Sequence, residues 1–161
     1  MQIRDAMQVH IVHLAFISPQ LTEQVNVLWN ENYPVVMKDR FTVLLQETSH
    51  HNHYFLFNEN NKLLGWAMDF ERDDDIWFSI IVDEKEKNKG YGKLLINALK
   101  ENNPVLNGWV IDHDNYKLQN DKYYRSPLSF YQALGFTVDY DTKIETPDLI
   151  GIRVTWKRNN Y

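Results

Sequence analysis

The sequence predicts an α/β (α+β) fold, with a mixed central sheet of about six to seven strands and helices on both faces. Three observations point there. Short runs rich in β-branched and aromatic residues recur along the chain, bounded by polar turns. The stretch Trp77 to Leu99 (WFSIIVDEKEKNKGYGKLLINAL) reads as a buried strand, a charged turn with two glycines one residue apart, and an amphipathic helix. The order of strands and helices then implies a sheet covered on both sides.

The elements follow in chain order. Val9 to Ile17 is β-branched and forms a first strand. Ser18 caps a helix that Pro19 opens and that runs through Leu21, Val25, Leu28 and Trp29. Asn32-Tyr33-Pro34 interrupts it, and a second helix is expected over Val35 to Glu47. His50, His51 and His53 fall in a polar connector ahead of a strand at Tyr54 to Phe57. Asn58 to Lys62 is a hairpin turn by composition, Leu63 to Phe70 a strand, Asp73 to Asp75 the next turn, and Ile76 to Val82 the central strand. The helix over Lys93 to Glu101 gathers Leu94, Leu95, Ala98 and Leu99 on one broad face. Gly108 to Asp112 reads as a strand, and His113 to Arg125 as a long polar loop that is a substrate lid or a surface excursion. Ser126 caps a short helix with Pro127 first and Gly135 as its stop. Phe136 to Tyr140 and Leu149 to Lys157 close the sheet.

With 161 residues and 43% hydrophobic side chains, residues 1–161 are expected to form a single domain with a real core. A formal charge of -5 argues against nonspecific nucleic-acid binding and suits a cationic or amine-bearing substrate. The chain has no cysteine, which excludes disulfides, thiolate catalysis and cysteine-ligated zinc. The apolar run Ile11 to Ile17 is too short to span a bilayer and lacks the pattern of a signal peptide, so neither a membrane partner nor export is expected. A cytoplasmic location is the expectation. The three histidines have no carboxylate at helical spacing to make a metal site, and Asp73 to Asp75 lacks the rest of a calcium loop.

The glycine turn carries the chemistry. Amides at a strand-to-helix turn converge on one concavity, and the helix dipole adds positive charge there, so the turn can seat a phosphate. Lys93 is followed by Leu94, which rules out a Walker loop, and Leu95 stands where a dinucleotide fingerprint needs its third glycine. Lys87, Lys89 and Lys93 add local positive charge to an acidic protein.

The segment Val82 to Lys93 resembles the acyl-coenzyme A-binding segment of the Gcn5-related N-acetyltransferase (GNAT) family, where a strand leads to a Gln/Arg-x-x-Gly-x-Gly/Ala turn. Gly90 and Gly92 match that pattern, and Lys87 stands where Gln or Arg is usual. Phe130 to Phe136 (FYQALGF) resembles a second signature of the family, one strand later. The resemblance covers roughly Leu63 to Phe136 and implies a GNAT fold. It implies that acetyl-CoA is the cosubstrate, with no metal. Amides and side chains of Lys87, Asn88, Lys89, Gly90, Tyr91, Gly92 and Lys93 would hold its pyrophosphate, and backbone groups of Ile81 and Val82 its pantetheine arm.

The function implied is acetyl transfer to a primary amine, in a small molecule or a peptide, by direct attack in a ternary complex. Tyr131 would be the general acid, since a phenol is protonated at neutral pH. Family members carry a Glu early in the central strand where Ile76 stands, so Asp112 and His113 become the substitute base candidates. Water-mediated deprotonation near Ser79 is the alternative. Tyr124 replaces an Asn common seven residues before the catalytic Tyr. Trp29, Tyr33 and Trp66 lie on segments that border the acceptor side in the family, and its C-terminal strands often pair across homodimers. A noncatalytic acyl-CoA sensor, or an enzyme with a longer acyl donor, is the rival reading.

Overall fold

The computed structural model describes residues 8–146 and 149–159. Among the described residues seven strands form one sheet in the order β1-β2-β3-β4-β5-β7-β6. The strands are β1 (Val9–Leu14), β2 (Ser49–Asn58), β3 (Leu63–Arg72), β4 (Asp75–Val82), β5 (Val105–Val110), β6 (Thr137–Glu145) and β7 (Ile150–Lys157). Four helices accompany them: α1 (Pro19–Asn32), α2 (Phe41–Glu47), α3 (Tyr91–Asn102) and α4 (Leu128–Ala133). Strands β1 to β4 form an antiparallel meander, β4 and β5 run parallel, and β5, β7 and β6 are antiparallel.

Alternation along β3 shows why the sheet is buried on both faces. Trp66, Met68 and Phe70 pack with Val25, Leu28 and Trp29 of α1 and Phe41 of α2. Leu64 and Ala67 point the other way, into a cluster with Tyr91, Leu95, Ile96 and Leu99 of α3 and Tyr131 of α4. A strand with period-2 side chains must be apolar throughout when helices cover both sides. Asp69 falls on the α3 face, where Tyr54, Asn52 and Asn103 all donate to its carboxylate. Three donors satisfy the buried charge and tie the end of α3 to the sheet.

Several sequence expectations are corrected here. The helix expected over Val35 to Glu47 is broken into a 3-10 turn at Val35–Met37 and α2. The Met37 carbonyl accepts from the indole of Trp29, and the Asp39 amide donates to Asn30, so neither serves a continuous helix. Asp39 itself sits at φ 62, outside helical space. The histidine segment is part of β2 rather than a solvated connector. His53 is buried and accepts from Trp66 Nε1 at 3.1 Å. Strand β5 begins directly after Pro104, three residues earlier than expected, and Asp112 lies beyond its end. Helix α3 starts at Tyr91 rather than Lys93, and β6 runs on to Glu145. Ser126 still accepts from the Leu128 amide, although α4 itself opens at Leu128.

The consequential feature is the parting of β4 and β5. The two strands are in register at a single position, Trp77 opposite Asn107. Asn107 is fully buried; its amide donates to the Ile76 carbonyl while its oxygen accepts from Arg153 and Thr155 of β7. Past this clamp the ring of Phe78 lies over Gly108, where a Cβ would come within 2.6 Å of it. The Trp77 and Trp109 rings, 5.1 Å apart, bridge the same point. Among the described residues no helix is long and apolar enough to cross a membrane, and no group of three metal-ligating side chains occurs.

Candidate active site

Where β4 and β5 diverge, a cavity of about 860 Å³ opens. Phe78 to Val82 of β4 form one wall and Trp109, Val110 and Ile111 the other. These β4 residues pair with β3, from Asp69 opposite Phe78 to Gly65 opposite Val82. Their second edge has no strand in register, so its backbone donors and acceptors face the opening. An extended polyamide arm has partners there.

At one end of the opening stands the start of α3. Gly90 caps it at φ 81, and Asn88 before it has φ 65, so the chain turns through left-handed space to enter the helix. No side chain caps this terminus, and the first intrahelical bond runs from the Leu94 amide to the Gly90 carbonyl. The amides of Tyr91, Gly92 and Lys93 precede that bond and want an acceptor. Gly92 is needed for another reason: a Cβ there would lie 2.9 Å from the Phe130 ring, blocking the approach of α3 to α4. Uncapped amides, a free strand edge and room between them fit a diphosphate joined to an extended arm.

Ile81, Val82, Lys87, Asn88, Gly90, Tyr91, Gly92 and Lys93 all line the cavity. Lys89 does not; its ammonium is paired with Glu86. Lys87 lies 3.8 Å from Glu84, so carboxylates temper the basic patch that the lysines alone suggested.

Tyr131 lies in the wall beside Phe78, Phe130 and Phe136, with ring centroids 5.2 to 5.6 Å from its own. Its hydroxyl makes no hydrogen bond with another described residue, and the side chain lines the cavity. Burial, with smaller contributions from Tyr33 and Tyr124, pushes its pKa well above the ordinary phenol value. It is therefore a proton donor and not a base at neutral pH. Tyr33 and Tyr124 meet edge to face at 6.3 Å and both line the cavity. The Tyr33 hydroxyl contacts Ser79 Oγ and the Ile80 carbonyl, each at 3.3 Å.

Other expected residues are not brought here. Asp112 is exposed, and neither it nor His113 lines the cavity. His113 meets Tyr116 edge to face and accepts from the Asn115 amide, within the loop itself. Trp66 is wholly buried in the core, whereas Trp29 and Tyr33 do reach the cavity. The loop 113–125 contributes Tyr124 and Arg125 to the wall, and its Lys117 carbonyl accepts from the Val35 amide. Sequence reasoning missed Arg40, Glu47 and Arg72 as cavity residues. A signal existed for Arg72, because period-2 alternation from Trp66, Met68 and Phe70 puts it on the same face.

A family model for the acetyltransferase (GNAT) domain matches residues 50–138. The chain belongs to the GNAT acetyltransferase family. No curated protein matches it in sequence. Solved GNAT-type structures superpose over nearly the whole chain. An acyl-CoA N-acyltransferase from Pseudomonas aeruginosa has a TM-score of 0.65 at 11% identity, over 93% of this chain and 99% of that one. The spermidine/spermine N-acetyltransferase of Vibrio cholerae gives 0.58 at 13%, over 93% and 92%. The ribosomal-protein-S18-alanine N-acetyltransferase of Escherichia coli gives 0.58 at 15%, over 92% and 94%. At these identities the likeness extends to the GNAT fold and not to a substrate.

Proposed function

We propose that this GNAT protein transfers an acetyl group from acetyl-CoA to a primary amine by direct attack in a ternary complex. One observation supports this above others. The uncapped start of α3, the unpaired edge of β4 and Tyr131 all line the same cavity. Bound acetyl-CoA would supply a thioester carbonyl activated for attack.

The chain's own residues supply the rest. Amides of Tyr91 to Lys93 would hold the diphosphate, and the β4 edge at Ile81 and Val82 the pantetheine arm. Tyr131 holds its proton at the hydroxyl for the departing sulfur, since burial keeps the phenol neutral. Asp112 and His113 are not among the cavity residues; the carboxylates that line it are Glu47, Glu84 and Glu86. The Ser79 hydroxyl and the Ile80 carbonyl, joined through Tyr33, would orient a water that relays the amine proton to solvent before attack. The test is acetyl transfer across an amine panel with wild type and Tyr131→Phe. The variant is expected to lose about 10²- to 10⁴-fold in kcat while binding acetyl-CoA normally. Tight acetyl-CoA binding without transfer to any amine would make the protein a sensor instead.

A further inference from the structure

The cavity holds a cation that neither the diphosphate seat nor Tyr131 explains. Arg72, the last residue of β3, is half-buried and lines the cavity. Its guanidinium lies 4.4 Å from the centre of the Trp77 ring and 5.4 Å from that of Phe70. Two aromatic faces fix its orientation but take up none of its N–H donors. It makes no hydrogen bond or ion pair among the described residues. Asp73 and Glu47 influence its charge, neither within ion-pair distance, and burial opposes that charge. Beside it, the buried indole N–H of Trp77 also lacks a partner among the described residues. Trp77 itself is not a cavity residue, so the donors offered to the cavity are those of Arg72, and their complement is an acceptor.

The phosphates of the cosubstrate cannot provide it. Arg72 is in register with Asp75 at the start of β4, whereas the diphosphate seat lies past Val82 at its end. Seven residues of strand separate the two, about 24 Å at the usual rise. The arginine therefore belongs to the half of the cavity left for the second substrate, along with Phe70, Trp109, Leu44 and Glu47.

We propose that Arg72 binds a carboxylate carried by the acceptor, so that the acceptor is a small amino acid-like amine rather than a polyamine. This rests on the acetyl-transfer function proposed above. A guanidinium seated against two aromatic rings with its N–H groups unpaired presents a fork that matches a carboxylate and has no use for a second ammonium. The net negative charge of the chain suited a cationic or amine-bearing substrate; Arg72 adds a carboxylate to that amine.

The experiment compares acceptors that share an amine and differ in the carboxylate: amino acids, their carboxamides, and spermidine. Steady-state kinetics are measured for wild type, Arg72→Met and Arg72→Lys, with calorimetry of coenzyme A as the check on folding and the cosubstrate seat. The expected result is a kcat/KM at least about tenfold higher for amino acids than for their carboxamides, the size of one charge-assisted pair. Arg72→Met should raise KM for amino acids by about tenfold or more, with KM for carboxamides and affinity for coenzyme A unchanged. Arg72→Lys, which keeps charge but loses the fork, should fall between. If carboxamides or spermidine are used as well as amino acids, the assignment is overturned while acetyl transfer stands. If Arg72→Met changes both acceptor classes equally, Arg72 is only a packing residue and the proposal fails. If no amine is acetylated, both proposals fall. Should Arg72→Met not fold, the wild-type comparison alone decides.

Discussion

Tyr131 and His53 illustrate how burial alone can set the proton chemistry of a side chain. Burial raises the phenol of Tyr131, so it remains a donor through the alkaline range in which an amine substrate deprotonates. His53 is pushed the other way, from 6.5 to about 4, because its ring is buried and, to a smaller extent, because His51 stands nearby. The sign follows: the unfolded state binds this proton below about pH 6.5 and the folded state only near 4. Stability should be complete above pH 7 and decline as pH falls through that window, by up to about 3 kcal/mol. Urea unfolding of wild type and His53→Gln from pH 7 to 4 checks it; the variant should show a shallower slope. At this scale the sequence singled out Tyr131 through its motif and the glycines through their spacing, and all three line the cavity. It did not separate Trp66 from Trp29, since both are apolar aromatics and only the packing shows which one reaches the cavity. Arg72 was hidden for a related reason. A charged residue next to three aspartates looks like a hairpin tip until its stacking on Trp77 is seen.

Among the elements, the parting of β4 from β5 makes the site. It depends on Phe78 and Gly108 fitting together at the point of divergence. Gly108→Ala would place a Cβ 2.6 Å from the Phe78 ring, and that ring also packs on Tyr131 at 5.6 Å. The substitution should cost about 1–3 kcal/mol in denaturant unfolding. It should also lower kcat more than it raises KM for acetyl-CoA, through displacement of Tyr131. A chain that loses neither stability nor turnover would mean that the wedge is not needed. The strand–turn–helix from β4 to α3 was legible because hydrophobic periodicity changes sharply at the glycines. The break at Asp39 and the strand through His50 to His53 were not. Both depend on contacts with distant residues, Asn30 and Glu71, that local pattern does not encode.

For the molecule as a whole, the fold is a scaffold that brings three independent segments to one cavity: the start of α3, the free edge of β4 and the helix that carries Tyr131. A ligand that engages all three binds the native state alone and must stabilise it, by about 2.7 kcal/mol at a hundredfold excess over Kd. Structures of the same fold act on substrates as different as spermidine and a ribosomal protein, according to their names. The shared architecture therefore does not name the acceptor, which the proposal above assigns through Arg72. The most direct measurement is isothermal titration of acetyl-CoA and of coenzyme A into the intact protein. The account predicts saturable one-to-one binding of both, with a matching rise in Tm. Absence of heat and of any Tm change with either compound, on folded protein, would contradict it.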